Sequence, residues 1–221
     1  MAGVITLAIE ASTYVGSAAL LVDGLLAAER TVAMRGREHE ALMPAVAELL
    51  GTGGTAGRPP DRIVCGAGPG AFTSLRIAGG IAKGLALALG VPLFAVPSLA
   101  LVVAADPLPP GRYLVAVDAM RGDQYVQRFV IDAEGAIAVE DAAALLPTAR
   151  LDEARGTAMV LGPGQPGERR RDPHARGVAR LAALLHGAEP VDLAGWEPAY
   201  GRLAEAQVKW EAAHGRPLSL A

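Results

Sequence analysis

The chain has 221 residues, 52% of them hydrophobic, and a formal net charge of −3 with the histidines neutral, which is enough apolar material for one large domain or two small ones. This balance excludes a disordered chain and gives no overall basic field for binding nucleic acid unaided. The lone Cys65 excludes an internal disulfide, and Met1-Ala2-Gly3-Val4 lacks the basic start of a secretory leader, so a reducing, cytoplasmic location is expected.

Residues 4–9 form an apolar, β-rich run, and residues 16–22 and 25–32 flank Asp23-Gly24, a dipeptide suited to a two-residue hairpin. Residues 38–50 follow with Leu42, Val46, Leu49 and Leu50 at helical spacing, and Pro44 fits the first turn or kinks the helix. A glycine- and proline-rich loop over 52–60 leads into a strand at 62–65. Gly66-Ala67-Gly68-Pro69-Gly70 then turns the chain with positive φ expected at all three glycines, and a helix opens at Phe72 or Thr73 and runs to about Leu89. The uncharged stretch 85–105 is long enough to cross a bilayer. Gly90-Val91-Pro92 and Pro97-Ser98 divide it, however, into a helix end, a strand at 93–96 and a helix from 98 to about 104.

The order to this point is βββαβαβα. A proline-rich break at 106–111 places a boundary between lobes of residues 1–105 and 106–221. After it, residues 113–117 and 125–131 read as strands joined at Met120-Arg121-Gly122-Asp123, with a third at 137–140. Residues 162–167 are a loop, and 175–185 and 200–213 read as helices, the last of which could pack back on the first lobe. Two halves that open with antiparallel strands and continue with helices suggest a duplicated α/β unit.

The glycine turn matches G-x-G-x-x-A from Gly66 to Ala71, between strand and helix as a dinucleotide site requires. No Asp or Glu occurs between Asp61 and Asp106 to hold a ribose, and Lys83 is followed by Gly84 rather than a hydroxyl residue, so neither a Rossmann site nor a P-loop fits. The four histidines, His39, His174, His186 and His214, are too scattered to place two imidazoles on one helix face. Glu10 ends the first strand where an actin-like ATPase carries an acid, but one carboxylate makes a poor metal site. Arg169-Arg170-Arg171 is bracketed by Glu168 and Asp172, which fits a solvated loop. Cys65 in a strand interior lacks the electropositive setting of a nucleophile.

The helix after the turn repeats small residues at Ala78, Ala82 and Ala86, with Gly79, Gly80 and Gly84 beside them and Arg76 and Lys83 as its only charges. Such a stripe lets another helix approach closely. It equally allows tight packing on the chain's own sheet, and the preferred expectation is that one face is a contact surface.

Four segments resemble the TsaB family, also called YeaZ: Leu7-Ala8-Ile9-Glu10-Ala11-Ser12-Thr13; His39-Glu40-Ala41-Leu42-Met43-Pro44; Gly68 to Ile77 with Ala82-Lys83-Gly84-Leu85; and Asp118 to Tyr125. Glu197-Pro198-Ala199-Tyr200-Gly201-Arg202 and Lys209-Trp210 are similar to its closing segment. The resemblance implies an α/β fold of two actin-like, RNase H-like (ASKHA) lobes, each a mixed sheet with helices. It also implies a noncatalytic cytoplasmic subunit in the synthesis of N6-threonylcarbamoyladenosine in tRNA. The family's partners would be a catalytic TsaD-like subunit, which holds the metal, and a TsaE-like ATPase, with tRNA met only through the complex and no membrane.

By this resemblance the interface falls on the first two helices, at His39, Leu42, Met43 and Val46 and at Phe72, Arg76, Gly79, Ala82 and Lys83. Gly68, Gly70 and Thr73 are the expected anion contact. No catalytic residue, metal or cofactor is expected; ATP or ADP at the interface and a homodimer stay open. Glu10, Ala71 and Ser74 depart from the family's usual aspartate, serine and glycine, and Val96-Pro97-Ser98-Leu99-Ala100 stands where active relatives carry a histidine pair. The alternatives are a stand-alone actin-like ATPase or sugar kinase, which would use Glu10 and the turn, and a metallopeptidase.

Overall fold

In a computed structural model of the chain, the described residues are 3–35, 40–52, 55, 57–201 and 213–215. His39 and most of the helix expected over 200–213 lie outside them. The first sheet contains β1 (Ile5–Glu10), β2 (Val15–Val22), β3 (Leu25–Ala33), β4 (Arg62–Gly66) and β5 (Leu93–Val96) in the order β3-β2-β1-β4-β5. β1 is antiparallel to β2 and parallel to β4, which is parallel to β5, so the sheet is mixed. The hairpin turns at Asp23 and Gly24, with φ of 51° and 78°, the left-handed pair that matches strand twist.

β1 is central and all six of its residues are buried. Its side chains alternate between two cores. Ile5, Leu7 and Ile9 meet α1 (Leu42–Thr52) and α2 (Phe72–Leu89) through Leu42, Val46, Leu49, Ala78, Ala82 and Ala86. Ala8 faces the other way, toward α3 (Ser98–Ala104), whose seven residues are all buried. α1 starts later than the pattern suggests. The Glu40 carboxylate accepts the Leu42 and Met43 N–H groups and so caps the helix, with Pro44 in its first turn. At the other end of α2, Gly90 adopts φ 67° and its N–H bonds to Ala86 O, a left-handed cap.

α2 is long and apolar enough to cross a bilayer by composition, with a mean hydropathy of 1.3 over 18 residues. Here its alanine stripe lies on the sheet. The uncharged stretch 85–105 is divided, as its punctuation indicates, among α2, β5 and α3.

The second sheet is built from β6 (Gly111–Asp118), β7 (Asp123–Ile131), β8 (Ile137–Val139), β9 (Ala144–Pro147) and, after α4 (Leu151–Arg155), β10 (Met159–Leu161). Its order is β10-β6-β7-β8, with β9 also on β7; β10 is parallel to β6 and the rest are antiparallel. β9, α4 and β10 carry no readable periodicity. The helix expected over 175–185 is instead a 3-10 helix, Ala175–Arg180, followed by the short α5 (Ala182–Leu185). Ala175, Val178 and Leu181 pack with α3, so this segment joins the core that both sheets share. The architecture is a two-lobed, actin-like α/β fold.

Candidate functional site

The parallel pairing of β1 with β4 sets Glu10 beside Gly66. The Glu10 side chain is fully buried: Oε1 accepts the Ser12 N–H at 2.5 Å and Oε2 accepts the Ser98 hydroxyl at 2.8 Å. Ser98 Oγ in turn accepts the Gly68 N–H at 2.9 Å. One carboxyl thus ties the end of β1 to the start of α3 and to the turn that launches α2. Burial pushes its pKa up, opposed by the hydrogen bonds from Ser12 and Ser98. The neighbouring Cys65 thiol is also raised, by burial first and by Glu10 second, and is inert as a nucleophile.

The three turn glycines serve different needs. Only Gly68 has the expected positive φ, 86°. Gly66 and Gly70 are required for space: a Cβ would lie 1.6 Å from Glu10 Oε2 at the first and 2.1 Å from Ser12 O at the second. The Ala71 N–H donates to Ser12 O at 2.7 Å, and Ala71 gives α2 no side-chain cap.

The expected interface residues separate into two groups. Leu42, Val46 and Ala82 are fully buried in the core under the sheet, which corrects their placement on a surface. The cause is the sheet itself: α1 and α2 need an apolar side to cover β1 and β4, and the 3.6-residue period puts these residues there. Gly79 is also covered, since a Cβ there would lie 3.0 Å from Pro198 Cγ. Of the small residues, Ala78, Ala82, Ala86 and Gly79 are therefore internal packing, whereas Gly80 and Gly84 are exposed.

Met43 remains exposed, as do Thr73 in the first turn of α2 and Arg76, whose guanidinium lies 5.0 Å over the Phe72 ring. Phe72 is half-buried against Tyr200, with ring centroids 4.5 Å apart, and the Lys83 ammonium donates to Trp196 O at 2.9 Å.

Two features were not read from the sequence. One is Leu87, exposed at helical spacing with Gly80 and Gly84 on the outer side of α2. The other is the covering of Gly79 and Phe72 by residues 196–200, for which the sequence offers only a Trp, a Pro and a Tyr in a loop.

At the far side of the lobes, Arg170, Arg171, Arg176, Asp106, Asp172 and Glu168 line a groove of about 800 Å³. Arg176 spans Glu29 and Asp106, and Arg171 of the basic run also pairs with Asp106, at 3.4 Å. His174 is buried there; its Nδ1 accepts the Arg176 N–H and its Nε2 meets Thr31 Oγ1 at 3.0 Å. Burial first and Arg176 second lower its pKa, opposed by Glu29 and Asp106. Among the described residues, no three His, Cys, Asp or Glu side chains gather to hold a metal ion.

The family model for TsaD, tRNA N6-adenosine threonylcarbamoyltransferase, matches residues 33–159, more than half of the chain. The tRNA threonylcarbamoyladenosine biosynthesis protein TsaB of Escherichia coli K12 is 33% identical over 165 residues, 72% of this chain and 71% of that protein. TsaB of Bacillus subtilis 168 is 29% identical over 228 residues, 92% of this chain and 96% of its own. A solved structure of YeaZ from Pseudomonas aeruginosa superposes with a TM-score of 0.72 at 29% identity, covering 89% of this chain and 99% of that one. Another, described as an uncharacterized protein with similarity to peptidase YEAZ from the same organism, gives 0.75 at 29% identity over 90% and 100%. With sequence relatives and solved folds in agreement over most of its length, the chain belongs to the TsaB (YeaZ) family.

Proposed function

We propose that the chain is a noncatalytic subunit in the synthesis of N6-threonylcarbamoyladenosine in tRNA, binding and activating a TsaD-like catalytic subunit in a cytoplasmic complex that a TsaE-like ATPase joins. In this reading, residues 1–105 form the lobe that presents the partner helices and residues 106–221 the second lobe. tRNA is met through the complex.

The observation that carries the reading is the outer face of α1 and α2. Leu87 is 76% exposed and Met43 38%, with exposed Ala47, Gly80 and Gly84 on the same helices. A Cβ at Gly80 or Gly84 would meet nothing within 4 Å. Each helical glycine costs about 1 kcal/mol relative to alanine, yet no contact among the described residues requires either one. A helix from another subunit, seated closely on this apolar face, supplies the reason. The internal engagement of Glu10 supports a noncatalytic role, because both carboxylate oxygens already serve the fold.

The test is association with the cognate TsaD-like protein by size exclusion and titration calorimetry, with tRNA modification reconstituted with and without this chain. Wild type should form a complex that Leu87→Glu weakens at least about tenfold, as expected for a charge buried without a partner. Absence of a complex, full modification without the chain, or Mg²⁺-dependent ATP turnover by the chain alone would overturn the proposal.

A further inference from the structure

Residues 191–201 contact β5, α2, the glycine turn and β7. The Val191 N–H donates to Leu93 O at 2.8 Å, laying the segment along the free edge of β5. Asp192 accepts the Ala194, Gly195 and Trp196 N–H groups, through its side chain and its carbonyl, and so folds a turn. Trp196 O accepts from Lys83, and Pro198 and Trp196 lie over Gly79. The Ala199 N–H donates to Ala67 O at 2.7 Å, and a Cβ on Gly68 would lie 2.3 Å from Ala199 O. The Tyr200 ring packs on Phe72 at a tilt of 48°, while its carbonyl accepts the hydroxyl of Tyr125, on β7 of the other sheet, at 3.2 Å. At Gly201 a Cβ would lie 2.5 Å from the Tyr125 ring and 2.9 Å from Pro69.

We propose that residues 191–201 are a strap that couples the relative position of the two lobes to the launch of α2, with Tyr125, Tyr200 and Pro198 as positioning residues for the partner-binding face. Each contact is local, but their sequence is continuous: β7, Tyr125, Tyr200, Phe72 and the glycine turn, then α2. Motion of the second sheet relative to the first pulls on Tyr200 and thereby on the first turn of α2. Partner binding on α2 pushes back along the same path, and the two effects are reciprocal. Glycine at 68, 79 and 201 is what lets the strap lie this close.

The experiment uses the full chain with Trp210→Phe, which leaves Trp196 as the single tryptophan. Gly79→Val and Tyr200→Ala should lift the strap, shifting Trp196 emission to the red and accelerating amide exchange at Ala199. Tyr125→Phe removes only the hydroxyl on the far lobe. It should raise exchange at Ala199 and across residues 67–76 about fivefold, the equivalent of one hydrogen bond, and weaken association with the TsaD-like protein by a similar factor. Unchanged exchange at those amides in Tyr125→Phe overturns the coupling, whatever happens in the bulkier variants. The association arm rests on the function proposed above: a wild-type chain that binds no TsaD-like protein refutes that function, while the exchange arm still decides the strap.

Discussion

Gly66→Ala tests whether the Glu10 carboxyl is locked in its seat. The new Cβ would stand 1.6 Å from Oε2, 2.8 Å from the carboxyl carbon and 2.9 Å from Ser98 Oγ. The carboxyl must therefore leave, giving up the Ser12 N–H and the Ser98 hydroxyl in a site without water access. Overpacking costs about 1–3 kcal/mol and stranding buried polar groups about 1–3 more, so the single variant should lose about 3–5 kcal/mol. In a Glu10→Ala background, Ser98 Oγ is the one of the three nearest atoms that remains, at 2.9 Å, and the added cost should fall to about 1 kcal/mol. The expected coupling energy is thus about 2–4 kcal/mol, read from urea unfolding of the four members of the cycle at neutral pH. Costs that add to within about 0.5 kcal/mol would refute the reasoning, because the carboxyl would then not be what keeps a side chain out of position 66.

Leu42→Ala should destabilise the fold by about 2–5 kcal/mol through a core cavity, whereas Met43→Ala one residue on should cost under about 0.5 kcal/mol and act on partner association instead; unfolding midpoints and binding measured on both variants check the contrast. Burial holds the Glu10 pKa above its usual 4.5, so the folded state favours the protonated form, and the associated stability is complete below pH 4.5 and lost as pH rises through the folded value. Glu10→Gln should therefore gain on wild type as pH rises from 4.5, and a pH-independent difference in unfolding midpoints contradicts this. Cys65, buried and with its thiol pushed up, should resist iodoacetamide in the native protein and react at the rate of unfolding; rapid labelling under native conditions would show a different environment.

Local rules account for what was legible. The apolar run of β1, the Asp23-Gly24 hairpin and the helix end at Gly90 are each decided within a few residues, and the structure has all three; of the two roles open to Pro44, it takes the first turn. β9 and β10 were not legible because four- and three-residue strands at a sheet margin need no periodic pattern. The break at Leu181 was missed for another reason: Ala175 and Val178 are drawn against α3, and that contact sets the backbone there rather than helix propensity.

The candidate site divides the same way. The sequence by itself determined that 72–89 is a helix with a small-residue stripe, that a glycine turn precedes it, and that Glu10 ends the first strand. Helical periodicity says which residues share a side, but each side of α2 has a different neighbour, and only tertiary packing assigns them. The sheet took Ala78, Ala82 and Ala86, the strap took Gly79, and solvent was left with Gly80, Gly84 and Leu87. The same holds at the turn, where Gly66 and Gly70 look like conformational glycines until the Glu10 carboxyl and the Ser12 carbonyl, brought in by strand pairing and loop closure, fill the space a Cβ would need.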